Sequence, residues 1–341
     1  MNMDKMRLGR TNLLVSRSGF GAIPIQRLSF PEAIALLRQA FDGGITFFDT
    51  ARGYTDSEEK IGQALGEMRQ EVILASKTHA ATAAALFKDL ETSLTNLKTD
   101  YLDIYQLHNP SSLPEAQGEL YQAALEAKKQ GKIRFISITS HRLDLALEEV
   151  RSGLFDTMQF PLSVLSSDED LELVKLCAEL DVGFIAMKAM SGGLITDPTA
   201  TFSFLRSLGN VVPIWGIQHS WELEQFLELE ANPPAMDEKL EAMILHDRQE
   251  LQGSFCRSCG YCVPTCPAKI PIAQAARMSL LLRRMNPERF ITPQGQADME
   301  KIKDCIECGI CKTHCPYELD TPALLKREYA FFKAFLAERG L

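Results

Sequence analysis

The 341-residue chain contains no apolar run of the length a membrane span requires, and no membrane insertion is expected. Its first ten residues, Met1 to Arg10, carry charge but lack the apolar stretch of a secretory signal. The motif G-x-G-x-x-G occurs nowhere, which counts against an open doubly wound dinucleotide sheet. Positive charge is in deficit. Lys and Arg number 36 against 45 Asp and Glu, a formal charge of −9, so non-specific nucleic-acid binding is not expected. The acidity reads first as solubility and second as steering toward a basic patch on a redox partner. What remains is an ordinary soluble composition, with 45% hydrophobic and 24% charged residues, in a chain long enough for one large domain and one small one.

Cysteine is where the chain departs from the ordinary. Eight of the nine cysteines fall in two copies of C-x2-C-x2-C-x3-C-P. Cys256, Cys259, Cys262 and Cys266 are closed by Pro267, and Cys305, Cys308, Cys311 and Cys315 by Pro316. Zinc sites use separated C-x2-C pairs rather than triplets ending in Cys-Pro, and disulfide frameworks belong to small secreted chains. The spacing is that of bacterial iron–sulfur ligand runs, in which three cysteines wrap one cubane and the fourth ligates the other cluster. Two 4Fe–4S clusters are expected. Cys256, Cys259, Cys262 and Cys315 would hold one, and Cys305, Cys308, Cys311 and Cys266 the other. Clusters and free thiols together imply a reducing, cytoplasmic setting. Cys177 lies in an apparent helix and reads as packing.

The first ~235 residues alternate short apolar runs with amphipathic stretches. Strands are expected at Ser18–Ala22, Phe47–Asp49, Val72–Lys77, Ile104–His108, Phe135–Ser140, Thr157–Phe160, Gly183–Lys188 and Val212–Ile217. Helices are expected at Pro31–Phe41, Ser57–Leu65, Ala83–Leu97, Pro114–Gln130, Leu143–Arg151, Ser167–Leu180, Thr199–Ser207 and Trp221–Leu229. Eight βα units fit an α/β fold, a (β/α)8 TIM barrel, over residues 1–235. Pro233-Pro234 marks a linker. Residues 236–341 then hold the linker, a small ferredoxin-like iron–sulfur domain and a C-terminal helix near Pro322–Arg339. Between the two cysteine runs a helix is expected at Ile272–Met285 and a loop at Pro293–Gly295.

In a barrel of this kind catalytic groups sit at the C-terminal ends of strands. Those ends carry Asp49 with Tyr54 five residues on, Lys77, and His108. The set can reduce a carbonyl. Tyr54 would donate a proton, Lys77 would favour release of that proton, Asp49 would hold Lys77, and His108 would orient the carbonyl oxygen or share in the proton transfer. A phenol with an ordinary value near 10 needs such help near neutrality.

The stretches ITFFDTARGYTDSEEKIGQAL, ILASKT and LKTDYLDIYQLHNP make residues 5–230 resemble the aldo-keto reductases, with the family's Asp–Tyr–Lys–His set complete. The whole chain is similar to the subgroup that carries a two-cluster ferredoxin-like domain after the barrel. The resemblance implies a cytoplasmic NAD(P)H-dependent oxidoreductase acting on a small carbonyl substrate, with NADPH or NADH lying across the barrel mouth. It carries cofactor roles over to Gly21, Asp49, Ser140, His141 (where the family has Asn), Gln159, Met187 and Lys188. It also carries them to Ser191, Gly192, Gly193, Gly216, Ile217, Gln218 and Glu224. From Trp215 to Glu230 there is no Lys or Arg to meet a 2′-phosphate, and His219 is the one candidate cation there. A nicotinamide delivers two electrons as hydride whereas clusters pass one at a time, and no flavin-binding signature is visible to bridge them. An electron relay to a ferredoxin or flavin partner is therefore the alternative function.

Overall fold

The computed structural model describes residues 3–341. Eight parallel strands close into a barrel: β3 (Gly19–Gly21), β4 (Phe47–Asp49), β5 (Ile73–Thr78), β6 (Leu102–His108), β7 (Ile133–Thr139), β8 (Thr157–Pro161), β9 (Gly183–Met187) and β10 (Val211–Gly216). Closure is made by β10 against β3, with Trp215 in register with Phe20. Helices α1 (Phe30–Asp42), α2 (Ser57–Leu65), α3 (Ala83–Leu97), α4 (Glu119–Lys129), α5 (Leu143–Arg151), α6 (Asp168–Glu179), α7 (Thr199–Ser207) and α8 (Ser220–Ala231) follow the strands in turn. Their caps explain their starts. Ser29 and Glu32 form a capping box on α1 with Pro31 in its first turn, and Ser167 with Asp170 does the same for α6. The fourth helix starts later than the sequence pattern implies. Pro114 lies in an irregular segment, and extended Gly118 (φ −72°, ψ 151°) precedes the first helical residue.

A hairpin, β1 (Lys5–Arg7) with β2 (Leu14–Ser16), was not evident in the sequence pattern. Leu8, Leu13 and Val15 from it pack on Phe47, Ala75, Ile104, Ile185 and Val212, closing the end of the barrel where the strands begin. Gly9 is required there. Its φ is +52°, and a Cβ would stand 2.2 Å from the amide nitrogen of Gly183.

Beyond Pro233-Pro234 the chain returns to the barrel. Helix α9 (Glu238–Leu251) buries Leu240 and Ile244 in a core shared with Val164, Leu165, Ile195, Ala200 and Phe255. The residue before the first cysteine is thus anchored on the barrel side. The remaining C-terminal segments are α10 (Ile272–Ala275), α11 (Met278–Arg284), α12 (Pro293–Glu300), α13 (Ile310–Thr313) and α14 (Thr321–Ala337). They share one core built on Ile272, Met278, Leu282, Met299, Leu325 and Phe332, with Cys262, Cys266, Cys305, Cys311 and Cys315 packed against it. Two expectations need correction. The single helix at Ile272–Met285 is two, broken where Arg277 leaves helical geometry (φ −133°, ψ 13°). Pro293–Gly295 is not a loop but the first turn of α12. Proline at N1 sacrifices only an amide that a helix start leaves unpaired anyway, and the Thr292 side chain accepts from Gly295 N at 3.1 Å. Among the described residues no helix is long and apolar enough to cross a membrane.

Candidate active site and cysteine rings

Parallel register brings three strand ends to one rim. Asp49 pairs with Ala75, and Gln106 pairs with Lys77. From this rim the Lys77 ammonium bonds the Asp49 carboxylate and donates to Thr50 O at 2.7 Å, both side chains being only 2% exposed. Gln106, which the sequence reading passed over, donates from Nε2 to Asp49 Oδ2 at 2.7 Å and fixes that carboxylate from the other side. Tyr54 sits in the loop after β4, with Lys77 Nζ 5.1 Å from its ring centroid. His108 presents an edge to Tyr54, with centroids 6.0 Å apart and planes at 78°. His79, which the sequence pattern left without a role, stacks on His108 at 4.0 Å.

The electrostatics hold the Tyr54 phenol in its protonated form. Burial, then the Asp49 charge, pushes the Tyr54 phenol above its ordinary value, and Arg289 opposes them. Lys77 is engaged by Asp49 rather than by the phenol. Burial pulls the Lys77 ammonium down while Asp49 raises it. Burial, aided by the Lys77 charge, pushes His108 down to about 2, so the ring is neutral in the folded protein near neutrality. His141 is likewise held well below its ordinary value by burial and then by Lys188.

Above this set lies a cavity of about 450 Å³. Of the residues expected to serve catalysis or a cofactor, Asp49, Tyr54 and His108 line it, as do Gly21, His141, Gln159, Met187, Lys188, Gly192, Gly193 and Gly216. Lys77 lies buried beneath, reaching the cavity through Asp49. Ser140, Ser191, Ile217, Gln218 and Glu224 do not line it. Ser140 Oγ donates to Arg142 O, and Ser191 Oγ donates to Ser163 Oγ at 3.0 Å. Ile217 is buried, Gln218 N donates to Glu222, and Glu224 is exposed on the outer face of α8. The loop after β9 is strained, with Lys188 (φ 58°) and Ser191 (φ 50°) in the left-handed region.

Two polar groups in the cavity wall lack partners. Both amide atoms of Gln159, which is 1% exposed, and Nδ1 of His108 are buried without a hydrogen bond. A buried carboxamide left open on both atoms is suited to meet another amide, since it can donate and accept at once. The opposite wall is not barrel at all. Arg277, Leu281, Arg284, Met285 and Arg289 come from α11 and its flanks in the C-terminal unit. No motif marks these residues, because they are joined to the barrel only by the docking of two separate stretches of chain.

The eight motif cysteines form two rings, and the rings cross the sequence runs. One cavity is lined by Cys256, Cys259, Cys262 and Cys315, the other by Cys266, Cys305, Cys308 and Cys311. None of the nine cysteines is in a disulfide. Among the described residues no three His, Cys, Asp or Glu side chains converge as a single ion would require. Each ring of four thiols instead lines one small cavity. The Cys256 ring is the one beside the barrel mouth. Lys188 Nζ donates to Arg257 O at 3.0 Å, and the Lys188 ammonium is held well below its ordinary value by burial and then by the Arg277 charge. Cys177 is buried in α6, its thiol pushed up to about 12 by burial, which fits a packing role.

A closed eight-stranded barrel carries Asp49, Tyr54, Lys77 and His108 at one rim and is followed by a cysteine-rich unit. The chain belongs to the aldo/keto reductase family, whose profile matches residues 18–207. Residues 255–320 match the 4Fe-4S dicluster domain. The chain is 33% identical over 211 residues to the L-galactose dehydrogenase of Arabidopsis thaliana, covering 56% of this chain and 66%, just under two thirds, of that one. It is 28% identical over 245 residues to the NADH-specific methylglyoxal reductase of Escherichia coli, covering 62% and 75%. Among solved structures, an aldo-keto reductase from Bacillus halodurans superposes with a TM-score of 0.63 at 22% identity, covering 72% of this chain and 96% of that one. A Klebsiella pneumoniae aldo/keto reductase in complex with NADP and acetate gives 0.60 at 23%, covering 72% and 95%. At these identities the two structures support the fold.

Proposed function

We propose that the protein is an NAD(P)H-dependent oxidoreductase that reduces aldehyde- or ketone-type substrates with Tyr54 as proton donor. The observation that carries this reading is the assembly of Tyr54, His108, Asp49 and Lys77 around one cavity whose wall also offers the open Gln159 carboxamide. Gln159, with His141 and Met187 beside it, fits a nicotinamide carboxamide and ring. When bound, that cofactor supplies the hydride taken up by the carbonyl carbon. Neutral His108 orients the carbonyl oxygen, and Tyr54 gives that oxygen its proton as the C–O double bond becomes a single bond. The Lys77 ammonium, 5.1 Å from the Tyr54 ring centroid, favours the phenolate left behind until water returns a proton, while Asp49 opposes it. Excess positive charge at Lys77 would ionise the phenol too early, and Asp49 prevents this.

The same reading gives each cysteine ring a 4Fe–4S cluster. Four thiols lining one cavity suit a cubane, in which each sulfur would bind a different iron. The crossing of the runs supports Cys315 joining the Cys256 set and Cys266 joining the Cys305 set. One observation favours the alternative, an electron relay to a protein partner. Arg257, next to Cys256, accepts at its carbonyl from Lys188 Nζ at 3.0 Å, and Lys188 also borders the catalytic cavity. A carbonyl panel assayed anaerobically with NADH and NADPH separates the two readings. Tyr54→Phe is expected to lower kcat by roughly 10²–10⁴ while dinucleotide binding is kept. Wild-type rates in that variant would refute the assignment.

A further inference from the structure

Of the Lys and Arg side chains that line the cavity, the barrel supplies one, Lys188. The barrel segment Trp215–Glu230 contains no Lys or Arg, and Lys188 is turned to the Arg257 carbonyl. His219, the candidate cation of the sequence pattern, sits at the start of α8 with its amide bonded to Glu222 Oε2 at 3.0 Å and its ring stacked on Trp221. The cavity nevertheless carries three guanidinium groups, those of Arg277, Arg284 and Arg289, and all belong to the C-terminal unit.

Arg284 is the best placed of the three. It reaches across the domain boundary, and its Nη1 donates to Glu222 Oε1 at 2.8 Å. Its other nitrogens face the Gly192-Gly193 turn. A Cβ on Gly193 would lie 3.1 Å from Arg284 Nε and 3.2 Å from Nη2. Glycine there does two things, since it permits a φ of +97° and leaves room for the guanidinium. The result is a fork with one arm anchored and two donors open beside a glycine turn on the cavity wall, an arrangement suited to phosphate oxygens.

We propose that the iron–sulfur domain supplies the cofactor site with its phosphate-binding cation, Arg284, so that the dinucleotide is held between the two domains. This rests on the dinucleotide reading above and deepens it. The ligand chemistry is a phosphate, either the pyrophosphate common to both dinucleotides or the 2′-phosphate of NADPH.

Isothermal titration of the cluster-loaded protein with NADH and with NADPH tests it. Arg284→Ala is expected to weaken binding roughly ten- to hundredfold, the scale of charge-assisted hydrogen bonds. Loss for both dinucleotides places Arg284 on the pyrophosphate, and loss for NADPH alone places it on the 2′-phosphate. Arg284→Gln keeps a hydrogen bond to Glu222 without the charge and is expected to weaken binding nearly as much. It also covers the case in which the alanine variant loosens the domain contact. Glu222→Gln provides the opposite sign. Glutamine still serves the α8 capping box while removing a repulsive carboxylate, so binding is expected to tighten severalfold. If Arg284 were only a tie between domains, Arg284→Ala and Glu222→Gln would weaken binding together. That outcome, or an Arg284→Gln affinity within twofold of wild type, overturns the proposal. If wild type binds neither dinucleotide, the dinucleotide reading fails and takes this proposal with it.

Discussion

Arg257 lies between Cys256 and Cys259 but spends its side chain on the barrel. Its guanidinium bonds the Asp170 carboxylate and donates from Nη2 to Leu165 O at 2.5 Å, while the group stacks 3.9 Å from the Tyr317 ring centroid. The two side chains are 5% and 0% exposed, so water screens the pair little. Asp170 already has one buried oxygen, Oδ1, without a partner. Arg257→Met keeps the apolar stem but strands a buried carboxylate, and breaking such a pair costs about 3–5 kcal/mol. Each 1.36 kcal/mol is a factor of ten, so amide protection at Leu165–Asp170 and in the Cys256 loop should fall by roughly 10²- to 10⁴-fold if those amides exchange by local opening. Adding Asp170→Asn should recover most of the loss. Asparagine retains an oxygen for Ser167 N, which Asp170 Oδ2 accepts at 3.0 Å, and no charge is left buried. Hydrogen exchange followed by mass spectrometry reads this out peptide by peptide. Protection in Arg257→Met within about fivefold of wild type, or simple additivity of the two substitutions, would refute the view that this pair clamps the cluster unit onto α6.

Glu149 on the inner side of α5 has both carboxylate oxygens buried and unpartnered, and burial followed by the Glu148 charge pushes it up to about 9. The unfolded chain releases this proton above about 4.5 while the fold retains it, so stability falls as pH rises between those values. Glu149→Gln should match wild type near pH 4.5, exceed it by on the order of 2–4 kcal/mol at pH 7.5, and flatten the alkaline slope in urea melts; an unchanged slope contradicts the burial argument. For the clusters, Cys315→Ala should change the electron paramagnetic resonance of the reduced protein as Cys259→Ala does, and differently from Cys308→Ala. A Cys315→Ala spectrum matching Cys308→Ala would place Cys315 with its own sequence run instead.

The barrel was legible because its signals are local. Each buried parallel strand is a short apolar run, and β4, α2, α3, α5 and α7 match the expected bounds. The polar set at three successive strand ends was legible for the same reason, as was the cysteine spacing. Contacts between distant segments were not legible. Nothing in the sequence around Arg277, Arg284 or Arg289 says that α11 will face β9 and α8, and nothing around His79 says that it will stack on His108. The hairpin of β1 and β2 was missed because three-residue strands carry too short a period to read. Pro293 misled because proline marks a helix start as readily as a loop.

Hydride transfer over Tyr54 has one direct test: reduction of an accepted carbonyl compound, in ordinary water, by a dinucleotide deuterated at the transferring carbon. One deuterium is expected on the carbonyl carbon of the product. A product that carries only solvent hydrogen at that carbon would mean that the electrons travel apart from the hydrogen nucleus, as they would through the cysteine-ring clusters, and would contradict the account.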